Sequence, residues 1–109
     1  MAEPSRREKI EALLQQEPED QFLRYGLAVE LDNEARHEES LALFQGLMAD
    51  QPPHVPSFLR GAQLLVNMDR VAEARAVLRD GIEIARQQGE LHAAGEMGEL
   101  LASLGSLGE

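Results

Sequence analysis

A chain of 109 residues with 43% apolar content holds one continuous core rather than two, so a single domain over residues 1–109 is expected. With 4% aromatic residues, no Trp and no Cys, that core is made of Leu, Ile, Val, Ala and Met, which favours helix packing and excludes disulfides and thiolate zinc sites. A formal charge of −10 repels nucleic acid and anionic membranes, and no segment approaches the roughly 20 apolar residues of a membrane span, so neither partner is expected.

The first helix is predicted over residues 5–16. Ser5 and Glu8 have the spacing of a capping box, Ile10, Leu13 and Leu14 recur at helical period, and Pro18 stops the run. A second helix carries Phe22, Tyr25, Gly26 and Val29 and ends near Leu31, where Asp32 and Asn33 offer turn chemistry. The third, from Arg36 to Asp50, has an apolar stripe of Leu41, Phe44, Leu47 and Met48, closed by Pro52 and Pro53. Pro56 suits the first turn of a fourth helix, whose buried side is Phe58, Gly61, Ala62 and Leu65 and which Asn67, Met68 and Asp69 interrupt. Val71 to Ala85 make a long fifth amphipathic helix that Gly89 can end in the left-handed conformation. A sixth, over residues 90–104, holds Leu91, Ala94, Met97, Leu100 and Leu104 but is weakened by Gly95 and Gly98, and the tail 105–109 is expected to fray.

An internal repeat organises these elements. Phe22, Leu23 and Arg24 reappear 36 residues later as Phe58, Leu59 and Arg60. At a step of 34, Arg36, Glu39, Ser40 and Phe44 become Arg70, Glu73, Ala74 and Leu78, and the two-residue difference falls in the turn between Leu31 and Arg36. The same step of 34 carries Phe44, Leu47, Met48 and Pro52 back to Ile10, Leu13, Leu14 and Pro18, so the first helix is the second half of an incomplete unit. The chain therefore reads as an all-α stack of antiparallel helix hairpins, about six helices in all. Its parts are a capping helix at 5–16, units at 19–52 and 55–88, and a capping helix at 90–104.

On these residues the chain resembles the tetratricopeptide repeat family. The large, small, large pattern of the family's first helix is matched by Phe22, Gly26 and Val29, then by Phe58, Ala62 and Leu65. The second-helix pattern is matched by Ser40 and Phe44, then by Ala74, Leu78 and Gly81; Leu47 departs by being large, and Arg86 replaces the closing proline found at Pro52. This phasing assigns Phe22, Phe44, Phe58 and Leu78 to the core.

The resemblance implies a superhelix whose first helices line a concave side that takes an extended peptide or a partner helix. Projected onto this sequence, that side carries Leu23, Arg24, Leu27, Glu30 and Leu31 from one unit and Leu59, Arg60, Gln63, Val66 and Asn67 from the next. Arg24 and Arg60 stand one interhelical spacing apart and together suit a carboxylate; alternatively each pairs internally, Arg24 with Glu30 or Asp20. One subgroup of the family holds chaperone C-terminal carboxylates with Lys and Asn at positions that are Leu23 and Leu27 here, which speaks against that function. A second possibility is a structural homo-oligomer that buries the same apolar face.

Chemistry is not expected. There is no Gly-rich phosphate loop and no pair of histidines one helical turn apart, and His37, His54 and His92 lie 17 and 38 residues apart. Adjacent carboxylates such as Glu38 and Glu39 do not face each other on a helix. No catalytic residue, metal ligand or cofactor is therefore assigned, and a cytoplasmic binding protein is the expectation. No Lys or Arg follows Arg86 while Glu90, Glu96, Glu99 and Glu109 do, so that end would attract a basic partner.

Overall fold

The structure, a computed structural model, describes residues 2–105. The expected tail lies outside the described residues from 106 onward. Six helices run through them: α1 Arg6–Gln16, α2 Gln21–Asn33, α3 His37–Met48, α4 Val55–Asn67, α5 Val71–Gln87 and α6 Leu91–Ser103. No helix among the described residues is long and apolar enough to cross a membrane.

Local chemistry sets the helix starts. The Ser5 hydroxyl accepts from the Glu8 amide at 3.1 Å and the Ser5 amide donates to the Glu8 carboxylate at 2.8 Å, the reciprocal box its spacing predicts. Asp20 caps α2 by accepting from the Leu23 amide at 2.8 Å.

Three turns share one geometry. Ala35 and Asp69 adopt φ of 61° and Gly89 of 75°. The next residue in each turn, Arg36, Arg70 or Glu90, donates its amide back to Leu31, Leu65 or Ala85 at 2.9, 2.8 and 2.8 Å. This left-handed cap satisfies carbonyls at the helix end and reverses the chain. In the first turn it falls at Ala35, so α2 runs two residues past Leu31 and absorbs Asp32 and Asn33.

Each helix packs on its neighbours in the chain, and α4 also touches α6, giving a slab of 50 × 29 × 19 Å. The core lies between the layers, where Phe44, Leu47, Leu64, Leu65, Leu78 and Met97 are closed off from solvent. Small residues bring helices together, as at Ser40, whose hydroxyl donates to the Ala28 carbonyl at 2.6 Å inside the α2–α3 contact. At the far end, Arg75 donates to the Leu104 carbonyl and ties α6 back to α5. α1 buries no residue fully.

Phe22 corrects the sequence reading. Phe58 is 3% exposed as expected, but Phe22 is 81% exposed. The two hairpins also differ one helix further on. A Cβ at Gly81 would stand 2.6 Å from the Phe58 Cβ and 2.7 Å from the Met97 sulfur, so the absence of a side chain there is what seats Phe58. The position equivalent to Gly81 in the preceding hairpin is Leu47, fully buried. The hairpin whose equivalent position carries Leu47 in place of glycine is the one whose phenylalanine stands in solvent.

Candidate partner-binding surface

The first helices of successive hairpins, α2, α4 and α6, share one face of the slab and enclose a groove of about 270 Å³. Leu59, Arg60 and Gln63 of α4 form its middle, Tyr25 of α2 one wall, and Glu96 and Met97 of α6 the other. Tyr25 is fixed by an edge contact to the Phe44 ring at 5.7 Å and a tilted contact to the His54 ring at 5.1 Å.

Of the residues expected to face a partner, Leu59, Arg60 and Gln63 line this groove. Half-buried Val66 and exposed Asn67 continue along α4, and Leu27 on α2 is half-buried. Leu31 is buried in the core, because it lies on the side of α2 that packs against the rest of the fold. Leu23 and Glu30 border a different groove, of about 340 Å³, between α1 and α2.

The two arginines part company. Arg24 is only 15% exposed and donates through Nη1 to Asp50 at 2.6 Å, with Gln21 donating to the same carboxylate at 3.0 Å. Gly46 makes room for it, since a Cβ there would lie 3.4 Å from the guanidinium. The internal alternative therefore holds for Arg24, with Asp50 as partner in place of Asp20 or Glu30. The residue 34 positions after Asp50 is Ile84, so Arg60 finds no such carboxylate on α5. It lies instead 3.9 Å from Asp32, too far for a hydrogen bond, and is 35% exposed. The expectation that both arginines grip one ligand carboxylate gives way to a structural Arg24 and an available Arg60.

Hydrogen bonds from Arg24 and Gln21 hold the Asp50 carboxyl below its usual range. Burial lowers His54, against an opposing pull from Asp50. Its Nδ1 lies 2.8 Å from the Ser57 hydroxyl, a pairing with the atoms of a nucleophile and a base, yet Ser57 has no exposed surface and His54 is the cap residue of α4. The pair therefore lies in the first turn of α4 with its hydroxyl closed off from solvent. His37 pairs with Asp32 at 3.0 Å and His92 with Glu96 at 3.5 Å. No group of three or more His, Asp or Glu suited to a metal occurs among the described residues.

Sequence reasoning missed Tyr25, Glu96 and Met97 as walls of the groove. The signal was present: a step of 36 from Arg60 lands on Glu96, which puts α6 in the phase of a first helix rather than a mere cap.

The chain is similar to two solved structures of a tetratricopeptide repeat domain protein from Salinibacter ruber. The solution structure is 31% identical with a TM-score of 0.78, covering 83% of this chain and 91% of that one. The crystal structure is 30% identical with a TM-score of 0.75, covering 82% and 99%. No family model and no curated protein matches the chain.

Proposed function

The chain belongs to the tetratricopeptide repeat family, and from that premise we propose that it is a non-catalytic adaptor, built of units 19–52 and 55–88, that holds an extended peptide or a partner helix along α2, α4 and α6. The observation that carries this reading is the open groove with Arg60 at its middle. Tyr25, Leu59 and Ala93 offer apolar surface there, while Arg60 and Glu96 supply opposite charges at the edge. Because its contact to Asp32 is long, Arg60 keeps guanidinium donors for a ligand carboxylate. Glu96, in the equivalent position on α6, selects a positive group on the same ligand.

A displayed peptide library selected on the chain and counter-selected on Arg60→Glu tests this. Bound peptides should carry an acidic residue near an apolar one, shift the backbone resonances of Leu59, Gln63 and Met97, and lose about tenfold or more in affinity for the variant. Binding that ignores Arg60→Glu, or shifts confined to other helices, would overturn the proposal.

A further inference from the structure

The second helices of the two hairpins, α3 and α5, enclose a separate groove of about 420 Å³, within the size range of ligand sites. Phe58 of α4 lies at its bottom, 3% exposed, and half-buried Met48, Val77 and Ile84 line it above. The charged residues lining it are Asp80 and Glu83, both on α5 and both exposed.

The charges on the surrounding helices are engaged elsewhere. On α3, His37 pairs with Asp32, Glu39 with Arg36 and Glu38 with Arg70, and Arg70 also takes Glu73 at the start of α5. Asp50, past the end of α3, is taken up by Arg24, and Arg60 of α4 lies in the other groove. Arg75 is buried and donates to the Leu104 carbonyl. Arg79 and Arg86 follow Val77 by two and nine residues, which on a helix of 3.6 residues per turn sets them roughly opposite it. Neither of them lines the groove. Asp80 and Glu83 make no ion pair among the described residues, so an apolar floor lies beneath two unclaimed carboxylates.

We propose that this groove docks a basic amphipathic helix of another protein, which seats apolar side chains on Met48, Val77 and Ile84 and sets Lys or Arg against Asp80 and Glu83. Charge complementarity selects that occupant. An acidic or neutral helix would cover the two carboxylates without supplying a counter-charge, at a desolvation cost. A second copy of this chain, itself at −10, is repelled on approach. The α2–α4–α6 groove, where Arg60 and Glu96 present both signs, shares no lining residue with this one. One chain therefore has a separate surface for each of two partners.

Helical peptides displayed as a library, selected on the chain in low salt and counter-selected on the Asp80→Asn, Glu83→Gln double variant, test this. Recovered peptides should carry Lys or Arg beside an apolar stripe and shift the resonances of Met48, Val77 and Ile84. They should lose about tenfold or more in affinity for the double variant, which changes exposed residues and should melt like the wild type. Their affinity should fall as salt rises toward about 1 M and should survive Arg60→Glu, which marks binding in the other groove. No recovered peptide, peptides without basic residues, insensitivity to the double variant, or loss on Arg60→Glu would each overturn the proposal. Concentration-dependent shifts of the same resonances in the chain alone, with a rise in mass to two copies, would give the groove to a second copy and overturn it as well.

Discussion

Phe22 and Phe58 open the same tripeptide at the same place in successive helix hairpins, yet one stands in solvent and the other is enclosed. The two helices that bear them, α2 and α4, are each 13 residues long. What differs is the position that Phe58 packs against, Gly81 in its own hairpin, whose equivalent in the first hairpin is Leu47. A repeat motif thus fixes where the chain goes, whereas the seat of a large side chain depends on the volume opposite it. The arginines teach the same lesson in charge: Arg24 is claimed by Asp50, and Arg60, with Ile84 in place of that carboxylate, is not.

The largest expected asymmetry is at the phenylalanines. In urea unfolding at concentrations too low for association, Phe58→Ala should cost about 3–5 kcal/mol. Phe22→Ala should fall within about 0.5 kcal/mol of wild type. Equal losses would show that the two hairpins are packed alike. Next comes Gly81→Ala, which forces a methyl against Phe58 and Met97 and should destabilise by about 1–3 kcal/mol.

For the arginines, Arg24→Ala strands the Asp50 carboxylate and should cost about 1–2 kcal/mol, whereas Arg60→Ala should change stability by less than about 0.5 kcal/mol. Smaller still, Ala35→Gly relieves a left-handed alanine and should raise stability by about 1 kcal/mol. Asp69→Gly should gain less, since Asp tolerates that conformation better.

Acid should act on the first hairpin and its junction with α4 in two separate steps. His54 is depressed in the fold, so the unfolded chain binds its proton first, and stability present at neutral pH declines as pH falls below about 6.5. Asp50 is also depressed, and its contribution is lost only as pH falls through the ordinary carboxylate range toward its lower folded value. A pH series of urea midpoints should show both declines, and His54→Gln should remove the upper one alone.

Much of this was legible in the sequence, because it depends on spacing. The capping box at Ser5 and Glu8, the prolines and the two superposed periods are local or periodic signals, and they placed six helices and their phase. Phe22 was misread because the motif fixes its place on the helix and leaves open the volumes it would pack against. Leu47 departs from the motif by its size, but nothing local in the sequence ties that volume to the exposure of Phe22. The internal partner of Arg24 was not legible for a related reason: Asp50 lies at the end of the neighbouring helix, across an approach that Gly46 leaves open. The α6 wall went unrecognised because Gly95 and Gly98 drew attention to weak helix propensity, while the repeat phase carried the positional information.

The chain-order packing of the helices has a kinetic consequence. Nearly every contact joins helices adjacent in sequence, so few long loops must close before the core forms, and low contact order of this kind goes with rapid folding. The same linearity grades the opening of the fold in time. α1, which buries no residue, packs chiefly on α2, so its amides should exchange with solvent before those of α4 and α5. The slab should therefore unravel from the α1 end, with the middle hairpin the last to let go.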